Sequence, residues 1–407
     1  MTDPAHPLRR RRVAPRRRIS RRRRAALWGA AAAAVAAVVL VLAWSGRSGG
    51  PWDADPGTFE VNRLAATART VPQAGVEAAL AADDSDSPWL ASLNGMWDFT
   101  WSPSLEDAPA EFWEPSVDTS GWDTVEVPHQ WQLDGYGNAS DGDIVYLNEA
   151  HPWQGEERID PPQIPADGAS IGSYRREVQV PDAWDGRRTV LAFQGVKSAF
   201  TVWVNGVEVG YSEDSYAPAE FDVTDAVVPG ANVVAVRVHR WSDGSWLENQ
   251  DQIDLSGIFR DVELYSTPST YLDDHTVTTE VAADGATATV TFDAEVAGAS
   301  AADATLSATL YDPDGTELAS ATSSGAAPTG VLEVRSPSLW TAETPSLYSL
   351  VYELADADGT VTETLGTRVG IREFAIVDGV MTLNGRPLDI KGVNRGEMHP
   401  DVGQAMT

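Results

Sequence analysis

Arg240 to Leu264, RWSDGSWLENQDQIDLSGIFRDVEL, concentrates the side chains best suited to chemistry. Four carboxylates (Asp243, Glu248, Asp251, Asp254) are interspersed with the amides of Asn249, Gln250 and Gln252, and Trp241 and Trp246 stand beside them. Carboxylates and amides bond hydroxyls, and an indole face suits C–H groups, so the set fits a polyhydroxylated ring such as a sugar. The alternative is a solvated loop whose tryptophans pack into the core, where tryptophan is commonly found.

The elements on either side read as strands. In TVWVNGVEVGY, Asn205-Gly206 separates two alternating stretches, the preferred sequence of a tight hairpin turn. In NVVAVRVHRW, Val234, Val236 and Val238 point one way, Arg237 and His239 the other. Short strands with frequent turns predict an antiparallel sandwich over 87–267, interrupted by a long irregular insertion from Trp131 to Ser170. From 268 to 373 the pattern resets. Ala288, Val290, Phe292, Ala294 and Val296 line one face, Asp312-Pro313-Asp314-Gly315 is a hairpin turn, and about seven short strands predict an immunoglobulin-like sandwich. Residues 374–407 begin a third pattern, a hairpin followed by IKGVNRGEMHP, and the chain reads as cut at Thr407.

Composition narrows the function classes. Residues 1–24 carry 11 arginines and one aspartate; the remaining residues carry 18 basic and 59 acidic groups. So acidic a body excludes nucleic acid as a partner, since phosphate binding needs the opposite field. The chain has no cysteine, hence neither disulfides nor thiolate metal sites. Residues 25–44 form a 20-residue uncharged run, roughly 30 Å as a helix and close to the hydrocarbon thickness of a bilayer. The preceding arginines place residues 1–24 in the cytoplasm and the body outside. A retained single-pass anchor at the cell membrane is the expectation, with a cleaved signal segment and secretion as the alternative. Residues 45–86 read as a linker that becomes an extended arm.

SLNGMWDFTW (92–101), VPHQWQLDGYG (127–137), the 240–264 stretch, SLWTAETPSLYSL (338–350) and LNGRPLDIKGVNRGEMHP (383–400) resemble, in this order, glycoside hydrolase family 2, and within it the amino-terminal part of large bacterial β-galactosidases. The resemblance implies a jelly-roll sandwich, an immunoglobulin-like sandwich and then a (β/α)₈ barrel, with IKGVNRGE as the first barrel strand and Asn394, Arg395, Glu397 and His399 near its carboxyl end. It implies retaining hydrolysis of terminal β-D-galactosyl residues, with both catalytic glutamates lying beyond this chain, which is then inactive alone. By the same resemblance, Asn148 and Asp251 contact the sugar and Asp251 holds a sodium ion. A magnesium site lies outside the chain, and the full-length form is a homo-oligomer. Gly396 departs from the galactosidase pattern, which has a histidine there. That keeps a mannoside or glucuronide substrate open, as well as a surface protein that binds carbohydrate without catalysis.

Overall fold

The structure, a computed structural model, describes residues 56–69, 71–81, 83–137, 145–147, 161–164, 169–249, 251–396 and 398–405. The described residues all belong to one compact unit within Trp52–Thr407. The apolar run 25–44 expected to be a membrane anchor or signal segment lies outside them, as do Asn148, Gln250 and Glu397. Among the described residues no helix is long and apolar enough to cross a membrane.

The described part is all-β with few, short helices. The first sandwich sets a seven-stranded antiparallel sheet (Glu60–Val61, Val207–Ser212, Ala199–Val204, Gly230–His239, Ile171–Val180, Gly95–Ser102, Asp123–Val127, in spatial order) against a four-stranded one (Ala219–Asp222, Arg188–Phe193, Val262–Thr267, Leu90–Ser92). The Asn205-Gly206 turn closes the predicted hairpin, Val204 facing Val207, with both turn residues at positive φ as the tightest hairpin turn demands. Val234, Val236 and Val238 enter the core with Phe99, Phe193 and Phe221.

The opposite face of the large sheet is also covered. Phe112, Trp113 and Trp122 lie over it, Trp113 stacked on Trp203 at 4.6 Å, and the Arg237 guanidinium sits 5.3–5.5 Å from the rings of Phe112, Trp113 and Trp203. Cation–π attraction lets a guanidinium occupy that face.

The arm is bonded rather than free. Glu60–Val61 extends the large sheet, Leu64 N donates to Glu220 O in the first sandwich, and Ala68 N and Gln73 N donate to Asp274 Oδ1 and Thr364 O in the second. It therefore straps the two sandwiches together.

The second sandwich has the predicted seven strands, in sheets of three and four. Val290, Phe292, Leu306, Ala308, Leu350 and Tyr352 fill its centre. The Asp312–Gly315 turn forms as expected, Gly315 N donating to Asp312 O and Thr316 N to Asp312 Oδ1. A three-stranded sheet follows, Phe374–Val377, Val380–Leu383 and Arg386–Pro387.

The expected first barrel strand, IKGVNRGE at 390–397, is not confirmed: its described residues, 390–396, lie in no strand, and Ile390 and Val393 are exposed. A strand exists only as one of a hydrogen-bonded pair, and a parallel partner comes only after a crossover of a dozen or more residues. The described residues after 396 provide none.

Candidate functional site

The 240–264 stretch leaves the large sheet at Arg240, whose N–H donates to Ser170 O, and turns at once through a short helix, Ser245–Glu248. Ser242 N donates to Ser245 Oγ, which fixes the start of that turn. The sharp reversal distributes the four carboxylates into different environments. Asp243 is buried and accepts from Gly244 N. Glu248 accepts from both N and Oγ of Ser215, at 3.1 and 2.5 Å; burial nevertheless pushes its carboxyl above the ordinary range. Asp254 has no exposed surface and lies 3.0 Å from Lys197 Nζ, equally buried. Asp251 alone of the four is exposed, at φ +55°. An aspartate tolerates that left-handed conformation better than most residues. The fold thus separates one solvent-facing carboxylate from three structural ones.

The tryptophans divide similarly. Trp131 sits in the core against Phe99, Trp241 is buried under the Arg240 guanidinium, and Trp246 is half-buried with its Nε1 donating to Gln163 O.

A short ladder joins this stretch to the insertion: Gln252, Ile253 and Asp254 pair with Leu147, Tyr146 and Val145. Gln252 faces Leu147; Asp251 directly precedes this strand in the sequence, and Asn148, which follows Leu147 in the sequence, lies outside the described residues.

The chain beyond the third sheet returns to the same place. His399 and Gly403 bridge, and Gly403 sits at φ +60° with the site of a Cβ only 2.3 Å from Gln130 Oε1. Only glycine allows that approach. Gln404 then bonds on three sides. Its N–H donates to Gln130 Oε1 at 2.8 Å, its Oε1 accepts from Gln130 Nε2 at 2.9 Å, and its Nε2 is 3.3 Å from both Tyr216 OH and Gln252 Oε1. The Asp251 side of the first sandwich therefore abuts the segment following Glu397. Asn394, Arg395 and Gly396 are exposed, while His399 Nδ1 accepts from Asp401 N and takes no part in the junction.

Sequence reasoning missed Lys197, Glu213, Tyr216, Gln130 and Gln404. Burial opposes the charge on Lys197, but the Asp254 carboxylate prevails and raises the amine above its ordinary value. Glu213 is pushed up to about 8, chiefly by burial; the nearby Asp243 and Glu248 charges add to this, and the hydroxyl of Tyr211 opposes it. Lysine at a strand end and glutamate in a turn look solvated in a sequence. Only their partners, distant in the chain, mark them.

Among the described residues no group of three or more His, Asp and Glu side chains could hold a metal ion. Asp251 offers one hard oxygen of the kind sodium takes. A cavity of about 260 Å³ lies between the strap and the two sandwiches, lined by Arg69, Arg188, Glu220, Tyr265 and Tyr271. No residue of the 240–264 stretch borders it.

Comparison with known proteins supplies the context. Residues 90–268 match the sugar binding domain of glycosyl hydrolases family 2, and residues 270–372 match a second domain of that family. A beta-galactosidase of Priestia megaterium (strain DSM 319 / IMG 1521) is 38% identical over 364 residues, 87% of this chain and 35% of that protein. A beta-galactosidase of Clostridium acetobutylicum is 35% identical over 358 residues, 88% of this chain and 39% of that protein. The chain thus spans little more than a third of the length of these relatives. Among solved structures, a β-glucuronidase from Ruminococcus gnavus in complex with uronic deoxynojirimycin superposes with a TM-score of 0.63 at 21% identity, covering 78% of this chain and 51% of that one, a likeness of fold. A Lactobacillus rhamnosus β-glucuronidase gives 0.62 at 25% identity, covering 78% and 50%.

Proposed function

The chain belongs to glycosyl hydrolases family 2, and from that premise we propose that it forms the amino-terminal, sugar-binding portion of a retaining exo-β-glycosidase acting on terminal β-D-galactosyl residues. The names of relatives 35–38% identical support the galactoside. One observation carries the placement of the site: Asp251 is the exposed carboxylate of its loop, beside the junction of Gln252 with Gln404.

In this reading the two sandwiches, jelly-roll and immunoglobulin-like in type, furnish one wall of a sugar pocket. Asp251 accepts hydrogen bonds from ring hydroxyls, and the Asn148 amide offers both a donor and an acceptor. A sodium ion, when bound, neutralises part of the Asp251 charge and orients hydroxyls through its own coordination; Asp251 is the residue that would hold it. Retention needs an acid/base and a nucleophile carboxyl about 5–5.5 Å apart. We assign both, and the magnesium ligands, to the part of the relatives that this chain does not cover, the barrel. Residues 25–44 anchor the body outside the membrane, and the complete protein assembles as an oligomer.

The direct test is turnover of a chromogenic β-galactoside by the 407-residue chain. The expected result is none. Turnover abolished by changing Asp243, Glu248 or Asp251 would overturn the assignment of catalysis elsewhere. A second reading rests on Gly396, which carries no side chain toward a substrate: a mannoside or glucuronide in place of galactoside. A panel of nitrophenyl glycosides with the longest natural product of the gene separates these. Sugar binding without turnover on every member would favour a carbohydrate-binding surface protein instead.

A further inference from the structure

Lys197 and Asp254 are both fully buried in a domain whose interior is otherwise mainly apolar, their charged atoms 3.0 Å apart. A buried pair of this kind adds little stability, because desolvating two ions costs about as much as their attraction returns. Apolar residues of similar size would fill the space as well. The pair has a second property that apolar residues lack, which is polarity.

An ammonium group has three donors and no acceptor. The hydroxyl oxygen of Tyr216, 3.4 Å from Lys197 Nζ, therefore accepts from it, and the Tyr216 proton is directed to Gln252 Oε1 at 2.9 Å. With its oxygen so engaged, Gln252 turns its Nε2 to Glu248 O at 2.6 Å. Gln404 can then approach Tyr216 OH and Gln252 Oε1 only with its own Nε2, at 3.3 Å to each, which leaves its Oε1 to accept from Gln130 Nε2. One buried charge thus sets the amide orientation of three glutamines in succession. Strand alternation puts Gln252 and Asp254 on the same side of the Gln252–Asp254 strand, so one three-residue element offers Asp254 to Lys197 and Gln252 to Tyr216 and Gln404. A second short ladder, Lys197 with Gly257 and Val196 with Ile258, ties the far end of the loop to Lys197.

We propose that the Lys197–Asp254 pair is a positioning device: it fixes the hydrogen-bond direction of Tyr216, Gln252, Gln404 and Gln130, and thereby holds the Gln252–Asp254 strand, which follows Asp251, and residues 398–405 in one register. Its meaning for function rests on the reading of Asp251 as a sugar contact; the geometry does not. Lys197 and Tyr216 act through other residues and touch no substrate.

The test uses amide hydrogen exchange on the 407-residue chain. Lys197→Met alone strands a buried carboxylate and can unfold the domain, so the informative variant is the double change Lys197→Met with Asp254→Leu. It is expected to melt close to the parent. Exchange in residues 251–255 and 398–405 should nevertheless rise at least about ten-fold, with Gly230–His239 and Tyr348–Ala355 unchanged. Tyr216→Phe keeps the ion pair and breaks the relay, so it should accelerate the same two segments. Parent-like exchange there in both variants would mean that the pair only fills space and would overturn the proposal. Acceleration spread evenly through Gly230–His239 would overturn it too, by making the pair a general stability element. Binding of methyl β-galactoside, followed by ligand-observed NMR, adds the functional arm. If the parent binds, the double variant should lose at least about ten-fold in affinity. If the parent does not bind, the Asp251 reading fails while the exchange result still decides the positioning role.

Discussion

The two sandwiches solve the same packing problem with different interiors. In the second, the strand Thr287–Gly298 alternates buried and open positions along most of its length, and the centre is aliphatic and aromatic. In the first, Ala199–Val204 is buried at every residue, and Lys197, Glu213, Arg240, Asp243 and Asp254 are buried around one end. A sheet covered on one face needs few buried charges, and among the described residues of the second sandwich only Glu363 is a buried charged side chain. A sheet covered on both has loops that must be satisfied from within, and there the charged side chains gather. The difference points to the crowded end of the first sandwich as the place where structure serves something besides stability.

The sharpest way to break this comparison is to damage each interior in its own currency. Phe292→Ala, at the centre of the second sandwich, should cost about 3–5 kcal/mol in urea unfolding, the usual consequence of emptying an aromatic site in a dry core. Lys197→Met should cost about as much although it removes no aromatic volume, because Asp254 is left buried and unpaired. The two should part when the partner is also changed: Asp254→Leu restores most of the second loss and none of the first. A double variant as unstable as Lys197→Met alone would show that the two interiors differ only in composition.

A middle-sized effect comes from one buried glutamate in each sandwich. Burial pushes Glu213 up to about 8 and Glu363, which accepts from Leu272 N, up to about 7. In both, the folded protein binds a proton that the unfolded chain releases near the ordinary glutamate value. The contribution to stability is therefore complete below about pH 4.5 and declines with rising pH, to about 7 for Glu363 and to about 8 for Glu213. Replacing each by glutamine should flatten its part of the decline, by roughly 2–3 kcal/mol across that window. Denaturant midpoints measured from pH 5 to 8.5 would show it. Above pH 7 Glu363→Gln should no longer change the slope, its stability difference from the parent being then constant, whereas Glu213→Gln should still change the slope there. Parallel curves for parent and variants would place both carboxyls in water.

Much of the second sandwich is legible in the sequence because its rules are local. Alternation from Ala288 to Val296 and the Asp-Pro-Asp-Gly turn each need only their neighbours along the chain. The first sandwich is legible as strands and as the Asn205-Gly206 hairpin, and the 240–264 loop stands out by composition, whereas Asp251 itself is singled out only by the family resemblance. What composition does not reveal is which of four carboxylates faces solvent. That follows from partners far along the chain: Lys197 for Asp254, Ser215 for Glu248. The barrel strand expected at 390–397 is not confirmed for a related reason. A parallel strand is specified by neighbours, and its own residues say only that they are willing.

A smaller perturbation probes the junction itself. Gly403→Ala puts a Cβ against Gln130 Oε1 and Leu255 and forces an alanine to φ +60°. The expected loss is about 1–2 kcal/mol, confined to residues 398–405 and read by their exchange rates, since left-handed backbone disfavours any β-carbon by about that much. Exchange unchanged in that segment would mean that it does not seat where Gln404 meets Gln130.

The smallest effect on stability should accompany the clearest effect on binding. Asp251→Asn keeps the side-chain shape, tolerates the left-handed backbone and changes an exposed side chain, so the melting midpoint should correspond to a change of about 1 kcal/mol or less. If this carboxylate contacts sugar and sodium, methyl β-galactoside binding to the parent should strengthen when choline chloride is replaced by sodium chloride at equal ionic strength, and the variant should lose that dependence. The comparison with Asp254 then becomes decisive. Asp254→Asn alters a buried partner of Lys197 and should lower stability and binding together, whereas Asp251→Asn should lower binding alone. A sodium response identical in parent and Asp251→Asn would leave the exposed carboxylate without a role and return it to the solvated surface.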